Sequence, residues 1–258
     1  MRFLETVMGI PMSIDIRMRS ADLSATAAKA AFGVLHDADR RFSRHREDSE
    51  LHAVNLGLLA EADFSEELRE VIGLGEAASR ASGGAFTLRT TDGRLDTDGV
   101  VKGWAAAKAA RSLDAHGIRD YCLNAGGDVI VAGSPEGGDP WNVGIRSPAD
   151  AQKMLAVLAL TDCAVATSAA YERGEHIVDG RTGAAARGLQ SVTVIAPDLT
   201  TADVLATLVY AMGEDGIDLA LDQGASGVLA LTDRGGLLAA GALPFAGSGS
   251  AGATAAGR

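Results

Sequence analysis

The period of the apolar positions changes along the chain, and each change marks an element. In MSIDIRM, beginning at Met12, apolar and polar residues alternate as they do along a half-buried strand. From Ser24 to Phe42 the period lengthens: Phe32, Leu35 and Phe42 recur at three- and seven-residue spacings, so a helix turns one face inward. Arg40 to Arg46 leaves that helix as a basic loop. Ser65 then precedes an acidic first turn, Glu66 and Glu67, with Leu68, Val71, Ile72 and Ala78 at helical spacing behind it; Ser82, Gly83 and Gly84 end the stretch. A third helix is predicted from about Val100 to His116, stopped by Gly117. Strands follow over Tyr121 to Val131, Trp141 to Ile145, Leu155 to Leu160, Ala164 to Thr167, His176 to Asp179 and Val192 to Ala196. A helix to Met212, a short one near Asp218 to Gln223, and strands over Gly227 to Thr232 and Gly236 to Ala240 complete a mixed α+β order.

Composition narrows the function classes. The 258 residues carry a net charge of −11, which opposes nucleic acid or an anionic membrane as partner, because both need basic side chains that displace counterions. An anionic cofactor stays possible, since a metal ion and a few local cations override the global sign. Cys122 and Cys163 lie in apolar strand-like runs and read as reduced thiols, which fits a cytoplasmic location. The first residues lack both the long apolar core of a signal peptide and a lipoprotein cysteine. The apolar run from Met154 to Ala170 is interrupted at Thr161 to Cys163 and reads as two strands, so no membrane insertion is expected. Residues 1–246 are expected to fold as one domain, and 247–258, made of Gly, Ala, Ser, Thr and Arg, to stay disordered.

One pair of side chains carries candidate chemistry. Asp203 and Thr207 stand four residues apart, on a helix that Thr200 or Thr201 would cap, so they share a face one turn apart. Both are hard oxygen ligands. Magnesium takes few protein ligands and completes its shell with water or phosphate oxygens, so this pair suits a site finished by a nucleotide pyrophosphate. The plain alternative is a helix cap and a threonine bonded back to its own helix.

Four blocks in order, VMGIPMSI, RFSRHREDSELHAVN, GGAF with LDTDGVVKGWAAAKAARSL and LNAGGDVIVAG, and ATSAAYERGEHIVDGRTG leading into SVTVIAPDLTTADVLATLVYAMG, resemble the ApbE family of FAD:protein FMN transferases. The resemblance spans nearly all of residues 7 to 213 and implies an ApbE-like fold with largely antiparallel sheets and flanking helices. It implies FAD as substrate and Mg²⁺ as cofactor, with Gly99 (through its carbonyl), Asp203 and Thr207 on the metal. Met8 and His45 would meet FAD, together with Ala85, Phe86 and Thr87, Asp96, Lys102 near the phosphates and Ile177 near the flavin. His176 would be the base and Asp203 its catalytic companion. The acceptor would be a protein threonine in a Ser/Thr-Gly-Ala-Thr context.

The chain departs from the family pattern at several points. Thr87 stands where an aspartate is usual, and a long insert after it is reduced to TLRTTDGR. Asp98 replaces a small residue and would either add a metal ligand or face solvent. Ala169 and Ala170 stand where glycine and a small polar residue are usual, and Gly180 where proline is, which would loosen that turn. GGD at Gly126 to Asp128 reads as a strand bulge or a close backbone contact. Two further readings stay open: water replacing the acceptor, giving a pyrophosphatase that yields FMN and AMP, and a FAD-binding protein without catalysis. The ending SAGATAAGR also places Thr254 in a partial acceptor context.

Overall fold

The alternating N-terminal segment forms a hairpin, β1 (Arg2–Val7) and β2 (Ile10–Ile16), in the computed structural model, which describes residues 1–150, 152–169 and 177–247. Its two-residue turn puts Met8 and Gly9 in left-handed backbone, φ 54° and 74°, the conformation that matches the twist of a tight hairpin. The predicted strand from Tyr121 to Val131 is two strands, β3 (Tyr121–Ala125) and β4 (Asp128–Ala132), because Gly126 and Gly127 reverse the chain between them. The other strands are β5 (Trp141–Arg146), β6 (Met154–Leu160), β7 (Cys163–Ala169), β8 (Val178–Asp179), β9 (Ala184–Ala185), β10 (Leu189–Ala196), β11 (Gly227–Thr232) and β12 (Leu237–Gly241). Eight form one sheet in the order β1-β2-β3-β4-β7-β10-β11-β12, with antiparallel pairing throughout.

The helices are α1 (Ala21–Phe42), α2 (Glu50–Asn55), α3 (Glu66–Ala81), α4 (Asp98–Ala115), α5 (Leu199–Met212) and α6 (Gly216–Asp222). Ser20, Ser49 and Ser65 cap the first three with hydroxyls that accept the amides of Leu23, His52 and Leu68. α5 is capped by Asp198, whose carboxylate accepts the Thr201 amide at 3.1 Å, and not by Thr200 or Thr201. A carboxylate also suits the positive end of the helix. The fold is thus α+β, with helices against one face of a largely antiparallel sheet.

Both faces of the sheet centre are covered, which explains why its strands are apolar without alternation. Ile130, Ala164, Ala166, Val192 and Val194 point into the cluster beneath the helices. Val129, Val131, Val165 and Ile195 point the other way, under the hairpin β5 and β6 with its Trp141, Val143, Ile145, Leu158 and Leu160. Burying such aliphatic side chains contributes roughly 1.5–3 kcal/mol each and holds the hairpin on the sheet. Cys122 and Cys163 are both free and both stand opposite Val131, on the strands either side of it. Two strand spacings separate their backbones by roughly 9–10 Å, beyond the reach of a disulfide.

α5 is apolar on almost every side because α4 lies against one flank and β7 and β10 against the other. That position buries Asp203 to 4% exposure. Among the described residues no helix is long and apolar enough to cross a membrane.

Candidate active site

The site begins with a missing side chain. A Cβ on Gly103 of α4 would stand 2.5 Å from the Leu199 carbonyl oxygen and 2.6 Å from Asp203 Cβ, so only glycine lets α4 approach the start of α5 this closely. Close approach brings the Gly103 amide to Asp203 Oδ2, to which it donates at 2.8 Å. In a regular helix that amide serves the Gly99 carbonyl, so Asp203 and the Gly99 oxygen face the same donor.

One turn along α5, Thr207 faces the same way as Asp203, and its hydroxyl lies 3.3 Å from Ser168 Oγ on β7. Gly99 stands beside both Thr207 and the ring of Phe86: a Cβ there would be 3.5 Å from Thr207 Cγ2 and 3.3 Å from the ring. Gly99, Lys102, Asp203, Thr207, Phe86, Thr87, Asp96 and Ile177 line one cavity of about 450 Å³, with Arg44, Arg89 and Ser168 also in its wall. An adjoining cavity of about 560 Å³ holds Met8 and His45. Arg44, Asp98 and Lys102 line both, so the two are lobes of one trough. Ala85 does not line it: the residue is fully buried and its carbonyl accepts the Gly180 amide at 2.9 Å.

Lys102 reaches between two buried acids. Its Nζ is 2.6 Å from Asp128 Oδ2 and 3.5 Å from Asp203 Oδ1. The contact with Asp128 is a close ion pair. Burial pushes the Asp203 carboxyl well above the usual carboxylate range, and Asp128 adds to the rise while Lys102 and the Gly103 amide oppose it. Two carboxylates share one ammonium here. The donor set of carboxylate, hydroxyl and backbone carbonyl around a site short of positive charge fits a small hard cation.

A second ionic cluster forms the rim. Arg44 is 2.8 Å from both Asp96 and Asp98, and Asp96 Oδ1 accepts the Asp98 amide, the first of α4, at 3.0 Å. Asp98 therefore does not stand alone in solvent. The run predicted as a basic loop is divided: Arg40 and Arg41 belong to α1, Arg41 pairs with Glu50 at 2.8 Å and Arg46 with Asp48 at 2.9 Å. Gly180 does not loosen its turn. Its amide bond to Ala85 is one that proline has no hydrogen to make, and a Cβ would sit 2.4 Å from the Gly84 oxygen. His176, Ala170, Thr254 and the tail beyond Gly247 lie outside the described residues. Sequence reasoning passed over Asp128, Arg44, Ser168 and Gly103 as site residues. Asp128 carried a signal, an acid opening the wholly apolar strand DVIVA.

The ApbE family model matches residues 8–91 and 87–230. The FAD:protein FMN transferase of Rhodobacter capsulatus is 38% identical over 155 residues, covering 57% of this chain and 29% of its own length. The transferase of the same name from Treponema pallidum is 36% identical over 138 residues, 46% of this chain and 38% of its own. The matched stretch thus spans less than two fifths of either relative. In structure, the flavin transferase ApbE of Vibrio cholerae superposes with a TM-score of 0.79 at 22% identity, covering 93% of this chain and 96% of that one. The ApbE protein of Thermotoga maritima gives 0.78 at 25% identity, over 92% and 96%. The chain belongs to the ApbE family.

Proposed function

We propose that this member of the ApbE family transfers FMN from FAD to a threonine hydroxyl of an acceptor protein, releasing AMP, with Mg²⁺ as cofactor. The observation that carries this reading is the convergence of Asp203, Thr207, Gly99 and Lys102 on one lobe of a trough whose two cavities measure about 450 and 560 Å³. Asp203, Thr207 and the Gly99 carbonyl would hold the ion. When bound, it would neutralise charge on the pyrophosphate oxygens. Lys102 would hold a phosphate oxygen as a point charge. Met8 and His45 in the second lobe and Ile177 in the first would flank the aromatic and ribityl parts of FAD, with Phe86 and Thr87 closing the wall. Asp96, at the start of α4, would contact FAD. The acceptor oxygen forms its bond to the FMN phosphorus as the bond to the AMP phosphate breaks, and the hydroxyl proton passes to His176. The acceptor threonine would lie in a Ser/Thr-Gly-Ala-Thr-like context. Free, non-bridged thiols suit a reducing cytoplasm.

Incubating the protein with FAD, Mg²⁺ and a peptide bearing that context tests the reading. Peptide gaining the mass of FMN less water is the expected result. Free FMN with unmodified peptide would mean hydrolysis, and intact FAD would leave a binding protein only. A mass increase on the tail peptide containing Thr254 would identify the chain as its own acceptor.

A further inference from the structure

We infer that Asp128 is a positioning residue for the cation side of the trough: it holds the Lys102 ammonium back from Asp203, keeping Asp203 Oδ1 open to a divalent ion. The inference rests on the metal reading above. Asp128 is 2% exposed and stands behind the wall that Lys102 and Asp203 line. The turn at Gly126 and Gly127 makes it the first residue of β4, and its Oδ1 is fixed by the Thr167 amide of β7 at 2.9 Å. Its other oxygen is therefore a fixed anchor, 2.6 Å from the ammonium. With Asp203 Oδ2 engaged by Gly103, Oδ1 is the oxygen for which Lys102, at 3.5 Å, and a cation compete.

Charge arithmetic decides the direction. With Asp128 present and both acids ionised, as cation binding requires of Asp203, the three groups sum to one negative charge and the lysine is shared. Without it, the ammonium loses its 2.6 Å partner and Asp203 Oδ1, 3.5 Å away, draws it closer. In a medium of intermediate dielectric, closing that gap strengthens the pair by an amount that weakens a competing ion about tenfold.

The test is titration of Mn²⁺ alone, followed by the loss of the free-ion electron paramagnetic resonance signal, on wild type, Asp128→Asn, Lys102→Met and the double variant, with folding checked by circular dichroism. Asparagine keeps the acceptor for Thr167. Asp128→Asn is expected to bind Mn²⁺ about tenfold more weakly, and the double variant to return to within about threefold of wild type, because the competing ammonium is gone. A double variant as weak as Asp128→Asn would show that Asp128 acts through the shape of β4 and β7 and would overturn the inference, as would an unaltered affinity in Asp128→Asn. Should Asp128→Asn fail to fold, Lys102→Met decides alone: it should bind Mn²⁺ more tightly than wild type, and equal or weaker binding means Lys102 does not compete. A wild type that takes up no Mn²⁺ overturns this inference together with the metal reading, whereas peptide modification in the presence of FAD judges the transferase reading separately.

Discussion

Two clusters with the same make-up, one cation between two carboxylates, border the trough. In the inner one Lys102 is 19% exposed and its partners Asp128 and Asp203 are 2% and 5% exposed; in the rim cluster Arg44, Asp96 and Asp98 are 40%, 25% and 38% exposed. Contact lengths overlap, 2.8 Å for both rim pairs against 2.6 and 3.5 Å in the inner cluster. Distance is nonetheless the lesser variable. Water screens the rim charges whichever way they pair, whereas the buried inner charges are screened far less and depend on close partners, the Gly103 and Thr167 amides among them. The difference teaches that the inner cluster is where a change of partner carries a large free-energy consequence, and so where binding energy is best converted into chemistry.

The widest separation should come from removing each central cation. Lys102→Met strands two buried carboxylates and is expected to lose about 3–5 kcal/mol of stability, as broken buried pairs do. Urea melts of the two single variants, Lys102→Met and Arg44→Met, measure this directly. Equal losses would erase the distinction.

Next in size is an effect on rate. Asp203→Asn keeps the shape and an acceptor for the Gly103 amide but removes the charge. Transfer of FMN to the peptide is expected to fall about a hundredfold or more, equivalent to about 2.7 kcal/mol of transition-state stabilisation. Quenched-flow mass spectrometry under single turnover reads it. Activity within a few-fold of wild type would sever the inner cluster from the chemistry.

A third variant asks whether backbone proximity builds the inner cluster. Gly103→Ala places a methyl group 2.5 Å from the Leu199 oxygen, and α4 and α5 must separate, at about 1–3 kcal/mol. Thermal melts would show the loss, and the Gly103 amide, with its bond to Asp203 lengthened, should exchange hydrogen faster.

Most of the fold was legible because period reports burial: the stripe of Leu68, Val71 and Ala78 and the capping serine Ser65 are local signals with local causes. Asp203 and Thr207 were legible for the same reason, being one turn apart on one helix. The inner cluster was not, because Lys102, Asp128 and Asp203 belong to α4, β4 and α5, and no spacing along the chain encodes a meeting of three elements. Gly180 was misread since its reason is a hydrogen bond to Ala85, far away in sequence. Arg44 was hidden inside a basic run whose members turn to different acids.

The smallest expected effect is the most direct probe of the rim. Arg44→Met should cost less than about 1 kcal/mol of stability, the usual limit for exposed pairs. Asp96 would still accept the Asp98 amide at the start of α4, so the helix start stays in place and only screened attraction is lost. In high salt, where charges are screened beyond about 3 Å, the difference between Arg44→Met and wild type should vanish, while that between Lys102→Met and wild type should persist because buried charges are screened much less. Repeating the urea melts from low salt to 1 M chloride on the order of that screening length reads both slopes at once. A salt-insensitive rim would mean that Arg44 is held by the trough wall and not by its two carboxylates.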